Sequence, residues 1–214
     1  MKNAFIVTLV TAFVSVAVAP GLCDEPSFEG TIWFQLDVEI TDSRVSEDDV
    51  ADFGTSLVVF YRSNGDIRKE WTDAAGEWEL YLADENTQIG KMRDDDSKLF
   101  SWDGAREDRK LLSVKRESTD ESALGRGLDV VTIKYDDGTQ TRYWFDPSLY
   151  ADPRPYSRLR FAYQNRYWEL AKAPILMYER TTQLYRITHT PLKMEIAPVS
   201  DELFTIPDLP VEPF

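Results

Sequence analysis

The sequence predicts a mainly β (α+β) fold, on three observations. A strict apolar alternation runs from Phe28 to Ile40, two hairpin signals sit at Asn64-Gly65 and Asp136-Asp137-Gly138, and apolar residues recur at helical spacing only between Tyr156 and Lys172.

The chain opens Met1-Lys2-Asn3 and then runs uncharged and apolar from Ala4 to Ala19. One positive charge, a short apolar run and small residues predict a secretory signal peptide. A spanning helix needs roughly 20 apolar residues, and Pro20-Gly21 closes this run early. An uncleaved anchor is the other reading. Cleavage fits after Ala19, after Gly21 or after Cys23. The expected division is a signal over 1–23 and one domain over 24–214, the size of a single core. Cys23 is the only cysteine, so no intramolecular disulfide is available and the core itself must stabilise the domain. Pro20-Gly21-Leu22 before Cys23 is a poor lipoprotein tripeptide.

From Phe28 to Ile40 the even positions are Phe28, Gly30, Ile32, Phe34, Leu36, Val38 and Ile40, the pattern of a long strand with one buried face. Ser46-Glu47-Asp48-Asp49 suits one helical turn, because serine caps and acids favour a helix start. Ser56–Arg62 and Ile67–Trp71 read as strands around Asn64-Gly65, both of which tolerate positive φ. Glu77–Leu82 puts Trp78, Leu80 and Leu82 on one face. Gln88–Met92 and Lys98–Trp102 read as shorter strands around Asp94-Asp95-Asp96. Arg106–Gly127 is charged and ambiguous, with a loop-like end at Ser118–Gly127. Leu128–Tyr135 and Thr139–Phe145 form the second hairpin. Tyr156–Lys172 reads as the best helix, through Leu159, Phe161, Tyr163, Trp168 and Leu170. Ile175–Arg180, Leu184–Thr190 and Leu192–Ile196 give two or three last strands. Ser200-Asp201-Glu202-Leu203 looks like a short turn, Phe204-Thr205-Ile206-Pro207 tucks apolar groups back, and a Pro-rich tail follows.

Composition excludes several functions. A net charge of −14 opposes binding to nucleic-acid phosphates and to anionic headgroups. His189 is the only histidine, so a zinc site of His and Cys cannot be assembled. No nucleophile elbow accompanies it, and a structural or surface role is expected. There is no Walker loop, and Gly125-Arg126-Gly127 lacks a following helix signature. Asp48-Asp49, Asp94-Asp95-Asp96 and Asp136-Asp137 lack calcium-loop spacing and read as solvated turns. Nothing singles out a carboxylate pair for glycoside hydrolysis. No catalytic residue, metal site or cofactor is therefore expected. An outer-membrane barrel ending at Phe214 is disfavoured, because the prolines of Pro207–Pro213 remove the ladder donors a closing strand needs.

Aromatic residues are the positive feature: the chain holds 6 Trp, 10 Tyr and 11 Phe. Most Trp suit a sheet core, while some could line an apolar groove. Arg68 and Glu70 share a strand face. They suit a surface ion pair, or an arginine anchor for a ligand head group.

Phe28-Glu29-Gly30-Thr31-Ile32, the hairpin Tyr61–Glu70, the loosely matched Lys98-Leu99-Phe100 and the closing Asp201-Glu202-Leu203-Phe204-Thr205-Ile206-Pro207 resemble the LolA-like superfamily of bacterial envelope proteins. Within it they resemble a secreted domain family of unknown function. The likeness spans about residues 26–209. It departs from the pattern in the acidic Thr41–Gly54, in the middle Ala105–Gly127 and in the strongly acidic surface. The resemblance implies a curved antiparallel sheet forming an incomplete β-barrel wrapped over one or two helices, with an apolar cavity inside. It also implies a periplasmic or secreted carrier of lipid or lipoprotein, with Arg68 at a position tied to cargo handling. Arg68, Trp71, Trp78 and Trp33 are the candidate ligand-binding set. The rival readings are a structural or protein-interaction module with a filled core, and a hydrolase using paired carboxylates.

Overall fold

A computed structural model describes residues 26–71, 76–92 and 96–214. The signal over 1–23, with Cys23, lies outside the described residues, as does part of the Asp94-Asp95-Asp96 turn.

The chain builds one open twelve-stranded sheet that does not close into a barrel. The strands are β1 (Gly30–Ile40), β2 (Ser56–Tyr61), β3 (Ile67–Trp71), β4 (Trp78–Leu82), β5 (Thr87–Lys91), β6 (Leu99–Asp103), β7 (Leu111–Ala123), β8 (Arg126–Tyr135), β9 (Gln140–Phe145), β10 (Met177–Thr181), β11 (Tyr185–Ile196) and β12 (Val211–Pro213). Across the sheet they run β12-β6-β5-β4-β3-β2-β1-β11-β10-β9-β8-β7. All pairings are antiparallel except β12 with β6. Two short helices, α1 (Glu47–Val50) and α2 (Gln164–Ala171), complete the fold.

Local chemistry accounts for most of this. The alternation of β1 buries Ile32, Phe34 and Leu36 while Gln35, Asp37 and Glu39 face solvent. Gly30 is required at its start, because a Cβ there would lie 2.3 Å from the Glu195 carbonyl oxygen. Ser46 caps α1 reciprocally: its hydroxyl accepts from the Asp49 N–H, and the Asp49 carboxylate accepts from the Ser46 N–H. Gly65, at φ +98°, turns the β2–β3 hairpin.

Three expectations need correction. Ser118–Gly127 is not a loop. It forms the end of β7, a turn through Leu124 and Gly125 at φ 52° and 75°, and the start of β8. Both turn residues adopt the positive φ that tight hairpins demand. The strand shows no alternation because much of it lies exposed at the sheet edge with little apolar surface to bury. The helix expected over Tyr156–Lys172 shrinks to α2. Before it come two 3-10 turns, Arg154–Tyr156 and Phe161–Tyr163, and the chain breaks at Ala162 and Tyr163, both at positive φ. The apolar spacing there reflects a whole irregular layer facing the sheet, with Tyr156, Leu159, Tyr167 and Trp168 buried.

The last strands number two, within the two or three expected: β10, and a β11 that joins Leu184–Thr190 to Leu192–Ile196. Pro191 interrupts β11 only as a bulge, since Phe34 pairs with Pro191 but Trp33 with Lys193. Leu192, next to Pro191, is the extra residue of the bulge. The tail also joins the sheet. Leu99 N–H donates to Pro210 O at 2.8 Å and Phe214 N–H to Ser101 O at 2.9 Å. Its prolines limit it to three parallel residues at an edge, and it closes nothing.

Directly opposed residues on neighbouring strands share a face, so register sorts the core into two layers. The concave layer holds Ile32, Phe34, Leu57, Val59, Tyr61, Ile67, Tyr81, Val131 and Tyr143 against Tyr156, Tyr167 and Trp168. The smaller convex layer holds Trp78, Leu80, Ile89 and Leu99 under Phe204, with Leu203, Ile206 and Leu209 around it.

Candidate functional site

The four residues singled out from sequence divide between the two faces. Arg68 opposes Phe60 and Leu80, which belong to the convex layer. Trp33, Val58, Glu70 and Trp78 form a single cross-strand row on that same face. Trp71 opposes Leu57, a concave-core residue, and faces the interior.

On the convex side Arg68 is already engaged. Its Nε donates to Glu70 Oε1 at 2.6 Å, and its guanidinium lies 4.5 Å from the Trp78 ring centroid. Trp78 is 7% exposed and roofed by the C-terminal segment. Arg62 holds that roof, bonding to Asp201 and lying 4.8 Å over the Phe204 ring. Trp33 carries the Lys193 ammonium at 4.5 Å. Arg68 and Glu70 thus form an ion pair, and Arg68 does not point into the space between sheet and helix.

That space is largely filled. Trp168 has no solvent exposure and stacks on Tyr156 at 3.8 Å with 13° between the rings. On the opposite face of β9, Trp144 is buried beneath Arg142, 4.3 Å away. The core reading of tryptophan is right for Trp78, Trp144 and Trp168.

What the concave face gathers beside its core is polar. Ile67, Lys69 and Trp71 alternate inward on β3, so Lys69 opposes Glu79 of β4 and pairs with it, Nζ to Oε2, at 2.9 Å. Gln88 of β5 follows in the next row opposite Tyr81. Gln164, at the start of α2, meets them from above across a cavity of about 20 Å³, room for a water. Gln88 is 9% exposed. Neither the Gln88 nor the Gln164 side chain has a hydrogen-bond partner among the described residues.

Across the concave side stand Tyr178 and His189. Their rings lie 4.7 Å apart, and His189 is 6.1 Å from Phe34. Burial first, and then the Lys69 charge, hold the imidazole pKa down at about 3. His189 is thus neutral at any physiological pH. Burial likewise raises the Tyr178 phenol, with smaller contributions from Tyr185 and Glu79 in the same direction. Sequence reasoning missed Lys69, Glu79, Gln88, Gln164, Tyr178 and His189 as a group. The alternation of Ile67, Lys69 and Trp71 carried the signal for Lys69, but only register brings the others to it. No cluster of three or more His, Cys, Asp or Glu suited to a metal occurs among the described residues. Nor is any helix there long and apolar enough to cross a membrane.

No protein-family model and no curated protein matches the chain. Among solved structures it is similar to PNGF-II in two crystal forms. In the C2 form the identity is 10% and the TM-score 0.46, with 86% of this chain and 31% of that chain covered. In the P21 form the identity is 10% and the TM-score 0.48, with 88% and 32% covered. The chain spans about a third of the length of PNGF-II.

Proposed function

We propose that the protein is an exported, non-enzymatic binding domain for a lipid or other amphiphilic ligand, taken up on the concave face. The observation that carries this reading is the concave margin itself. There the partly exposed aromatics Trp71 and Tyr178 stand near the Lys69–Glu79 pair and two unengaged carboxamides. Small-molecule sites combine apolar walls with a few placed polar groups in this way. The Lys69–Glu79 pair is about one-third exposed on each side and can exchange partners with a head group.

The filled interior favours a second reading, a protein-interaction module of the envelope. The cavity of about 20 Å³ admits no acyl chain as it stands, so an amphiphile must lie along the margin or displace part of the α2 layer. Native mass spectrometry of protein purified gently from the periplasm, with lipid extraction of the same sample, separates the two readings. A stoichiometric co-purifying lipid supports the binding domain. An apo mass unchanged after incubation with envelope lipids contradicts it and leaves the interaction module.

A further inference from the structure

The two edges of the sheet are finished differently. Edge β6 is covered by the tail strand β12, which takes up the backbone of Leu99 and Ser101. At the other edge β7 runs thirteen residues, Leu111–Ala123, with no strand beyond it among the described residues. An edge of that length is a template for a further strand. Its register with β8 passes from Ser118 to Ser122, skipping Thr119, Asp120 and Glu121.

The sequence of β7 reads Leu112-Ser113-Val114-Lys115-Arg116-Glu117-Ser118-Thr119-Asp120-Glu121-Ser122-Ala123-Leu124. Two of its charge pairs are complementary to the reversed strand about Ser118. If two copies lie antiparallel with Ser118 opposite Ser118, Lys115 faces Glu121 and Arg116 faces Asp120. Every pair occurs twice. Lys115 and Glu121 are exposed. Their present partners are local: Glu117 for Lys115 at 2.7 Å, and Arg142 for Glu121 at 3.9 Å. Arg116 is already held by Asp129 at 2.7 Å, which leaves Lys115–Glu121 as the pair that reads out the register. A two-fold interface needs this reciprocity, in which each residue meets on the partner the residue that meets it in return. Cross-strand opposite charges favour such a register and like charges oppose it.

We infer that β7 is the docking edge for a second copy of this chain, forming a two-fold dimer by antiparallel pairing about Ser118 that extends the sheet across both subunits.

Sedimentation velocity on the mature protein over a concentration series, at physiological salt, tests this with charge reversals on exposed side chains. Wild type should shift from monomer to dimer. K115E and E121K should each weaken the dimer by about tenfold or more, because each places like charges opposite one another twice. The double variant K115E/E121K restores opposite charges at both places and should recover dimerisation to near the wild-type level. A wild type that stays monomeric throughout overturns the inference. So does a dimer that both single variants leave unchanged, or a double variant weaker than either single. None of these outcomes depends on lipid, so the result stands apart from the ligand-binding reading.

Discussion

The two faces of β3 and β4 carry similar residues and put them to different uses. On the convex face Arg68 lies over Trp78, its charge met by Glu70 and its aromatic partner roofed by Phe204. On the concave face Lys69 lies near Trp71, its charge met by Glu79, but the described C-terminal segment does not cover it, and the Gln88 and Gln164 carboxamides line the cavity beside it. The difference teaches that a cation, an acid and a tryptophan on neighbouring strands do not by themselves mark a site. What decides is whether another part of the chain has already been spent on covering them. The C-terminal segment closes the convex group, and so we place binding on the concave one.

Several measurements can break or sharpen this contrast. The largest effect is expected in the concave core. Trp168→Ala removes a fully buried ring stacked on Tyr156 and should cost about 3–5 kcal/mol in denaturant unfolding, or abolish folding. Phe204→Ala tests the convex roof and should cost about 3 kcal/mol, the lower end for an aromatic truncation, because the tail can settle onto the smaller cluster. It should also raise hydrogen exchange along β12 without affecting α2. Equal protection loss in both regions would show that the two layers are not independent.

The pH dependence of stability is the next largest. His189 has a folded pKa of about 3, below its unfolded value of 6.5. The unfolded chain therefore binds a proton first as pH falls. The stability owed to the neutral ring is intact above 6.5 and is lost progressively down towards pH 3. At pH 5 the loss should be at most about 2 kcal/mol, discounted because the residue is partly reached by solvent. Comparing His189→Leu with wild type at pH 7 and pH 5 checks it: the variant should lack this increment. The smallest effect is expected for Arg68→Ala, about 1 kcal/mol for a part-buried ion pair over an indole. A loss several times larger would mean that the convex layer depends on its cation more than on its apolar contacts.

The strands were legible in the sequence wherever one face is buried and the other wet, as in β1, or where a turn demanded glycine, as at Gly65 and Gly138. The short cap at Ser46 was legible for the same local reason. Three regions were not. Most of β7 buries little, so composition made its end look like a loop. The layer before α2 is buried without being helical, so apolar spacing overstated the helix. Pro191 sits at a bulge that only the register with β1 explains. The candidate site was less legible than the fold. Parity along β3 separates Arg68 from Trp71, but which parity faces the interior depends on α2 and the tail, far away in sequence. Glu79, Gln88, Tyr178 and His189 reach the same margin from four different strands, and no local pattern links them.

Binding on the concave face, as opposed to around Arg68, is tested most directly by titrating a fluorescent fatty acid into wild type, Trp71→Ala and Arg68→Ala, with folding of each verified by circular dichroism. The expected result is saturable binding by wild type, weakened by about tenfold or more in Trp71→Ala and unchanged in Arg68→Ala. No binding by folded wild type, or a loss confined to Arg68→Ala, would contradict it.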